Sequence, residues 1–333
     1  MTSPRKGRIL VADVGGTHVR FALVDVDAAD PLVESTIRRY RASEFASFAD
    51  AVRRFIADGG EHPASAVIAA AGLRVDDEVR LTNLPWVISR SGFEHDFGFD
   101  AKLINDFAAQ ALSIALLKPA DLLSVGPHAT PRFDVSASPT FAVLGPGTGL
   151  GVGALIVRDG RFVALETEGG HASLAPRDDV EIEILKRLTV RFGRVSHERV
   201  LCGSGLVNLY RTLCDIDGVI AKWTAPEDVT AHVDDDPMCA RTVARFSALL
   251  GALGGDLALT FGAWDGVYVT GGLAPHMAKA IEAGTFRERF EDKGRLSDAV
   301  KRVPTAVILH VEAGLLGAAV SAMIDAGKFA HAQ

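Results

Sequence analysis

Two distant stretches of the chain repeat one design. LVADVGGTHVRFALVD (residues 10–25) runs from an apolar strand into a Gly/Thr turn and out into a second strand. TFAVLGPGTGLGVGALIVRDGRFVAL (140–165) does the same and adds a third strand after another turn. Apolar runs of this length, rich in Val, Ile and Phe and bounded by glycine, are strand signals. A supersecondary unit present twice points to two similar lobes.

The rest of the chain fits an α/β domain plan. Strands are expected at about 8–15, 20–27 and 34–42, followed by a helix in SFADAVRRFIADGG that puts Val52, Phe55 and Ile56 on one face. SAVIAAAG and EVRLTNL read as strands, then a short helical stretch, then AKLINDF as a strand running directly into the apolar helix AAQALSIALLK. DDVEIEILKRL places Val180, Ile184 and Leu188 on one helical face behind an Asp cap. A long apolar helix covers about 237–263, DGVYVTGG and TAVILH are strands, and EAGLLGAAVSAMIDA is a closing helix. Such alternation predicts mixed sheets covered by helices. The 333 residues give room for two domains, each with its own core, and with no low-complexity linker between them the hinge is short.

Composition narrows the function. The hydrophobic share of 48% and charged share of 23% are those of an ordinary globular protein. A net charge of −7 argues against a surface dedicated to nucleic acid or anionic lipid, while leaving room for a local phosphate pocket. The N-terminal MTSPRKGRIL enters a strand without the apolar segment of a signal peptide or membrane span, so the expected location is cytoplasmic, with no nucleic-acid or membrane partner. Cys202, Cys214 and Cys239 form no CxxC pair, which leaves them as reduced structural thiols.

The glycine-rich turns carry the chemistry. No GxxxxGK[ST] loop is present, and the GxGxxA spacing of Gly149, Gly151 and Ala154 leads into a strand rather than a helix, which rejects dinucleotide binding. One glycine pair in a hairpin is ordinarily just a turn. Two such hairpins, with Asp13 in one and Thr148 in the other, point instead to jaws around a phosphate chain, because glycine lets backbone N–H groups approach an anion closely. A carboxylate among those amides repels phosphate unless a cation lies between, and Mg²⁺ supplies that charge.

DVGGTHVRFAL, INDFAAQA, GPGTGLGVGAL, ETEGGHASLAP, VSHERVLCGSGLVNLY, GVYVTGGLAP and FRERFEDKGR, in this order, resemble the bacterial ATP-dependent glucokinase family over nearly the whole chain. The Cys-rich zinc motif that follows the sugar histidine in related repressors and kinases is missing, which favours the zinc-free branch. The resemblance implies a two-lobed actin-like ATPase (ribonuclease H-like) α/β fold with duplicated lobes and a central cleft. It divides the chain into a small domain, 1–116 plus 312–333, and a large domain, 117–311. It also implies glucose and ATP as partners, Mg²⁺ as cofactor and a homodimer.

Carried over by position, Asp13, Gly15, Gly16 and Thr17 resemble the first phosphate segment, with Asp13 near Mg²⁺ through water, and Gly147, Thr148 and Gly149, within a segment reaching Gly151, resemble the second. Gly271 and Gly272 resemble the adenosine segment. Asn105, Asp106, Glu168, His171 and Glu198 match the sugar ligands, and Asp106 matches the general base. Each has a plainer reading: Asp106 as a helix N-cap, Asn105 as a turn residue, Glu198 as a solvated surface charge, His171 as a satisfied polar group. EGGH, with glycines between two polar ligands, weighs toward function. Asn83 and Trp86 in TNLPW either line the cleft or form a packed turn, and Lys293 and Arg295 either reach the nucleotide or are a solvated pair. A kinase for another hexose, a non-catalytic sugar-sensing regulator and a polyphosphate donor are the alternatives.

Overall fold

The first repeat folds as a hairpin whose two strands are buried on both faces. In the computed structural model, which describes residues 7–59, 61–81, 84–129 and 133–329, β1 (Ile9–Val14) and β2 (His18–Val24) pair antiparallel. β3 (Arg38–Arg41) continues the meander, and after α1 (Phe48–Gly59) the strand β4 (Ser65–Ala70) returns parallel to β1. A separate antiparallel sheet of β5 (Gly72–Val75), β6 (Glu78–Leu81) and β7 (Val87–Ser89) follows, then α2 (Arg90–Phe97) and β8 (Ala101–Asn105), parallel to β4. The first large sheet therefore has the order β3-β2-β1-β4-β8.

The chain then crosses through α3 (Asp106–Ser113) to β9 (Leu122–Val125) and the second repeat, β10 (Thr140–Pro146), β11 (Leu150–Arg158) and β12 (Arg161–Thr167). The helices α4 (Asp179–Phe192), α5 (Gly203–Asp217), α6 (Pro226–Ala231) and α7 (Pro237–Phe261) precede β13 (Gly266–Val269), which runs parallel to β10. α8 (Ala274–Glu282), α9 (Thr285–Glu291) and α10 (Ser297–Val300) lead to β14 (Thr305–Ile308), and α11 (Ala313–Asp325) closes the described chain. The second sheet has the order β12-β11-β10-β13-β14-β9. In both sheets an antiparallel triplet is followed by two parallel strands.

Alternation along the strands divides the core into layers. On β1, Leu10, Ala12 and Val14 face the cluster covered by α1 and α2, whereas Val11 faces a middle layer. On β10, Phe141 and Val143 face that same middle layer, whereas Ala142 and Leu144 join the cluster under α4, α5 and α7. The middle layer is filled by α3 and α11, which pack on each other; α11 also lies on β1 and β4, and α3 on β11. α11 is buried continuously from Ala313 to Ala322, as expected of a helix apolar all round. Of the described helices, Pro237–Phe261 alone is long and apolar enough to cross a membrane, and 67% of its apolar window is buried within the molecule.

Several boundaries differ from the sequence reading. The segment 34–42 is a strand only over Arg38–Arg41, because Glu34–Thr36 turns as a 3₁₀ helix. The crossing helix starts at Asp106, two residues earlier than read, and ends at Ser113. On α4, Ile184 and Leu188 are buried as read, but Glu181 rather than Val180 completes the buried face. Its carboxylate takes bonds from Arg289 at 2.6 Å and Arg245 at 2.8 Å, and a buried charge paired this way carries no hydrophobic signature.

Candidate active site

The parallel strands decide where the polar residues meet. Val14, Ala70 and Asn105 are in register at the carboxyl ends of β1, β4 and β8, the edge at which open α/β sheets place ligands. Asn105 is the N-cap of α3: its Oδ1 accepts the N–H groups of Phe107 at 2.8 Å and Ala108 at 3.2 Å. The capping role considered for Asp106 thus falls to Asn105, and Asp106 becomes the first helical residue. Its carboxyl takes the Phe107 N–H on Oδ1 at 3.0 Å and interacts with its own backbone N–H. Burial, with added repulsion from Asp13 and Glu168, pushes the Asp106 carboxyl up to about 6 despite the Phe107 bond.

Asp13 lies in the same field. Pairing across the hairpin sets it opposite Arg20, whose Nη1 donates to Oδ2 at 3.1 Å. Burial raises the Asp13 carboxyl; Arg20 opposes the rise, and Glu312 adds to it. Glu312, just ahead of α11, is 3.6 Å from Arg20 Nε and accepts from Arg39 at 3.1 Å. Negative charge therefore exceeds positive around Asp13 and Asp106, a setting in which a cation is favoured. No group of three or more metal-ligating side chains occurs among the described residues. One partly buried carboxylate suits Mg²⁺, which keeps waters and takes phosphate oxygens as its other ligands.

The sugar-ligand candidates form a continuous arc. His171 stands between two carboxylates, with Nε2 at 3.8 Å from Glu168 Oε2 and Nδ1 at 3.9 Å from Glu198 Oε1. Glu198 in turn reaches the second hairpin, where its Oε2 accepts the Leu150 N–H at 2.9 Å. A cavity of about 210 Å³ lies beside Asn105 and Glu168, walled by Ala70, Val79 and Leu103. Glu166 lines it too and accepts the Asn105 N–H at 3.2 Å.

A larger cavity, of about 740 Å³, opens beyond the arc and is lined by Gly147, Thr148 and Gly272 together with Gly203, Ser204, Glu227, Thr230 and His276. Gly271, at φ 88°, makes the turn that brings Gly272 there. Gly149 forms the hairpin tip beside Glu198. Gly15, Gly16 and Thr17 form the first hairpin's turn, closed by the Gly15 N–H to His18 carbonyl bond at 3.0 Å, and do not line this cavity. Gly151 proves to serve packing: a Cβ there would sit 1.8 Å from the Phe107 ring, so the glycine admits the first turn of α3 onto the second sheet.

Two readings left open by the sequence concern other residues. Trp86 is buried against Phe48, a packed turn, and Asn83 lies outside the described residues. Lys293 is not a solvated charge, since its Nζ is held by Asp256 at 2.6 Å and the Ala252 carbonyl at 2.9 Å. Arg20, Glu166, Ser204, Glu227 and His276 were not singled out from the sequence. Only Arg20 had a usable signal, the pairing register of the first hairpin.

The glucokinase family model matches residues 10–324. The chain belongs to the glucokinase family. It is 51% identical to a glucokinase of Stenotrophomonas maltophilia over 93% of each chain. It superposes on the crystal structure of a glucokinase from an Antarctic psychrotroph with a TM-score of 0.83 and 32% identity, covering 95% of this chain and 99% of that one. A ROK family glucokinase from Streptomyces griseus, in complex with glucose and AMPPNP, aligns at 21% identity with a TM-score of 0.62 over 94% of this chain and 98% of that one, a likeness of fold alone. In this glucokinase-family member the candidates Asn105 and Asp106 sit where β8 meets α3, and Gly147, Thr148 and Gly149 in the turn between β10 and β11.

Proposed function

We propose that the chain transfers the γ-phosphoryl group of MgATP to the 6-hydroxyl of glucose, giving glucose 6-phosphate and ADP, by a duplicated-lobe actin-like ATPase fold. Family membership supports the activity. The observation that supports the mechanism is the Asp106 carboxyl, relieved of the capping role by Asn105 and raised by burial and by the charges of Asp13 and Glu168.

As the new P–O bond forms, the sugar hydroxyl must lose its proton, and Asp106 accepts it. Glu168 and Glu198 accept bonds from sugar hydroxyls, His171 orients another, and the Asn105 amide, held by its cap bonds, offers its NH₂ as a donor. The cavity at Gly147, Thr148 and Gly272 takes the nucleotide, and the glycine turns direct backbone N–H groups at its phosphates. Asp13 would hold Mg²⁺, which would supply the positive charge that offsets the phosphates. The lobes, 1–116 with 312–333 and 117–311, close on the sugar about α3 and α11.

A coupled assay of ADP release across a panel of hexoses and donors tests the reading. The expected result is the highest kcat/KM with glucose and ATP. A higher value for another hexose, or for polyphosphate, would replace the substrate assignment.

A further inference from the structure

Glu198 has a second engagement that sugar binding alone does not require. While Oε1 faces His171 at 3.9 Å, Oε2 accepts the Leu150 N–H at 2.9 Å in the hairpin that carries Gly147, Thr148 and Gly149. Gly149 lets it do so, because a Cβ there would lie 2.6 Å from Oε2. The same short segment grips the hairpin's other side, where the Gly203 N–H donates to the Gly147 carbonyl at 2.9 Å. The two bonds bracket Thr148 and Gly149. Between them the Cys202 Sγ contacts the Glu198 carbonyl at 3.1 Å, tying the two ends of the segment together. EGGH rests on the same place, since a Cβ at Gly170 would be 2.0 Å from the Leu150 carbonyl oxygen.

We propose that Glu198 is a positioning residue for the nucleotide as well as a sugar ligand, so that glucose and nucleotide bind with positive cooperativity through one carboxylate. The proposal rests on the glucose–ATP reading above and deepens it. When a sugar hydroxyl donates to Oε1, the carboxylate is fixed, and Oε2 then holds the Leu150 N–H in the geometry that sets the phosphate turn. Coupling is reciprocal, so a nucleotide that orders the turn must tighten the sugar by the same factor.

Isothermal titration of glucose, with and without the nonhydrolysable MgAMPPNP, reads that factor. In the unaltered protein the nucleotide is expected to tighten glucose about fivefold or more, the lower range of such couplings. Glu198→Gln keeps an oxygen for the Leu150 N–H but loses an acceptor; it should weaken glucose at least tenfold and retain the ratio. Glu198→Asp is too short to span both groups and should bring the ratio near one. Gly149→Ala, altered on the nucleotide side, should do likewise and raise the KM for glucose more than it lowers kcat. If Glu198→Asp and Gly149→Ala keep the original ratio, Glu198 is a sugar ligand only and the proposal is overturned; Glu198→Asp decides alone if Gly149→Ala does not fold. Should the unaltered protein bind both ligands independently, the coupling fails and the substrate reading stands. Absence of glucose binding under either condition would sink the substrate reading itself.

Discussion

At Asp106 two requirements conflict, stability and chemistry. Its carboxyl, pushed up to about 6 by burial and by the charges of Asp13 and Glu168, binds a proton more tightly in the folded protein than in the unfolded chain. The folded state is therefore favoured at acid pH, and that advantage is lost as pH rises through about 6. Asp106→Asn removes the penalty. It should raise the melting temperature of the ligand-free protein at pH 8, by up to ~2–3 kcal/mol of stability, with the gain shrinking toward pH 5. The same change should cut kcat by roughly 10²- to 10⁴-fold while leaving glucose affinity within a few-fold, because a base is lost and the other ligands remain. Near-normal turnover would remove Asp106 from the role. In the unaltered protein, kcat/KM for glucose should fall about tenfold per pH step below pH 6, since only the carboxylate can accept the proton. The sequence left Asp106 between two roles, base and helix cap. The structure gives the cap to Asn105, a choice between adjacent residues that depends on the backbone angles at the strand end.

The elements most legible in the sequence were those with a period. The β10–β11–β12 meander, α1 and α7 all lie close to where alternation or helical spacing put them, because burial of one or both faces writes itself into the residues. Elements whose reasons lie elsewhere in the molecule were less legible: of the small β5–β6–β7 sheet the sequence showed only β6, in EVRLTNL, and it did not show the Glu181 face of α4. The same holds for glycines: Gly151 reads as part of a phosphate turn, yet its reason is the ring of Phe107, on a helix that the chain completed well before the second repeat began. The α3–α11 crossing depends on another. A Cβ at Gly317 would stand 1.7 Å from the Ala109 carbonyl oxygen, which is backbone and cannot turn aside. Gly317→Ala should therefore destabilise the fold by about 1–3 kcal/mol, the usual cost of overpacking, and reduce the urea midpoint. An unchanged midpoint would mean that the two helices can separate freely, and would weaken their assignment as the hinge.

At the scale of the whole molecule, water sets the problem. Water competes with the sugar hydroxyl for the phosphoryl group, and two of the proposed sugar ligands face solvent here: the side chains of Glu168 and His171 are 80% and 55% exposed. Meanwhile the first hairpin, with Asp13, stands apart from the cavity lined by the second hairpin. A phosphate chain gripped by both requires the two sheets to approach, and exclusion of water from Asp106 requires the same movement. The connections able to carry it are α3, which begins at Asp106 and packs on β11, and α11, which lies on β1 and β4 and begins beside Glu312 and its bridge to Arg20. Both start within the carboxylate cluster of Asp13, Asp106 and Glu312. Small-angle scattering should accordingly show a smaller radius of gyration with glucose than without it. Asp106→Asn, which retains the sugar ligands, should compact to the same extent, whereas truncating the arc at His171→Ala should require far more glucose. A scattering profile unaltered by saturating glucose would separate catalysis from lobe closure, and would leave exclusion of water to local rearrangement of the Glu168–His171 segment.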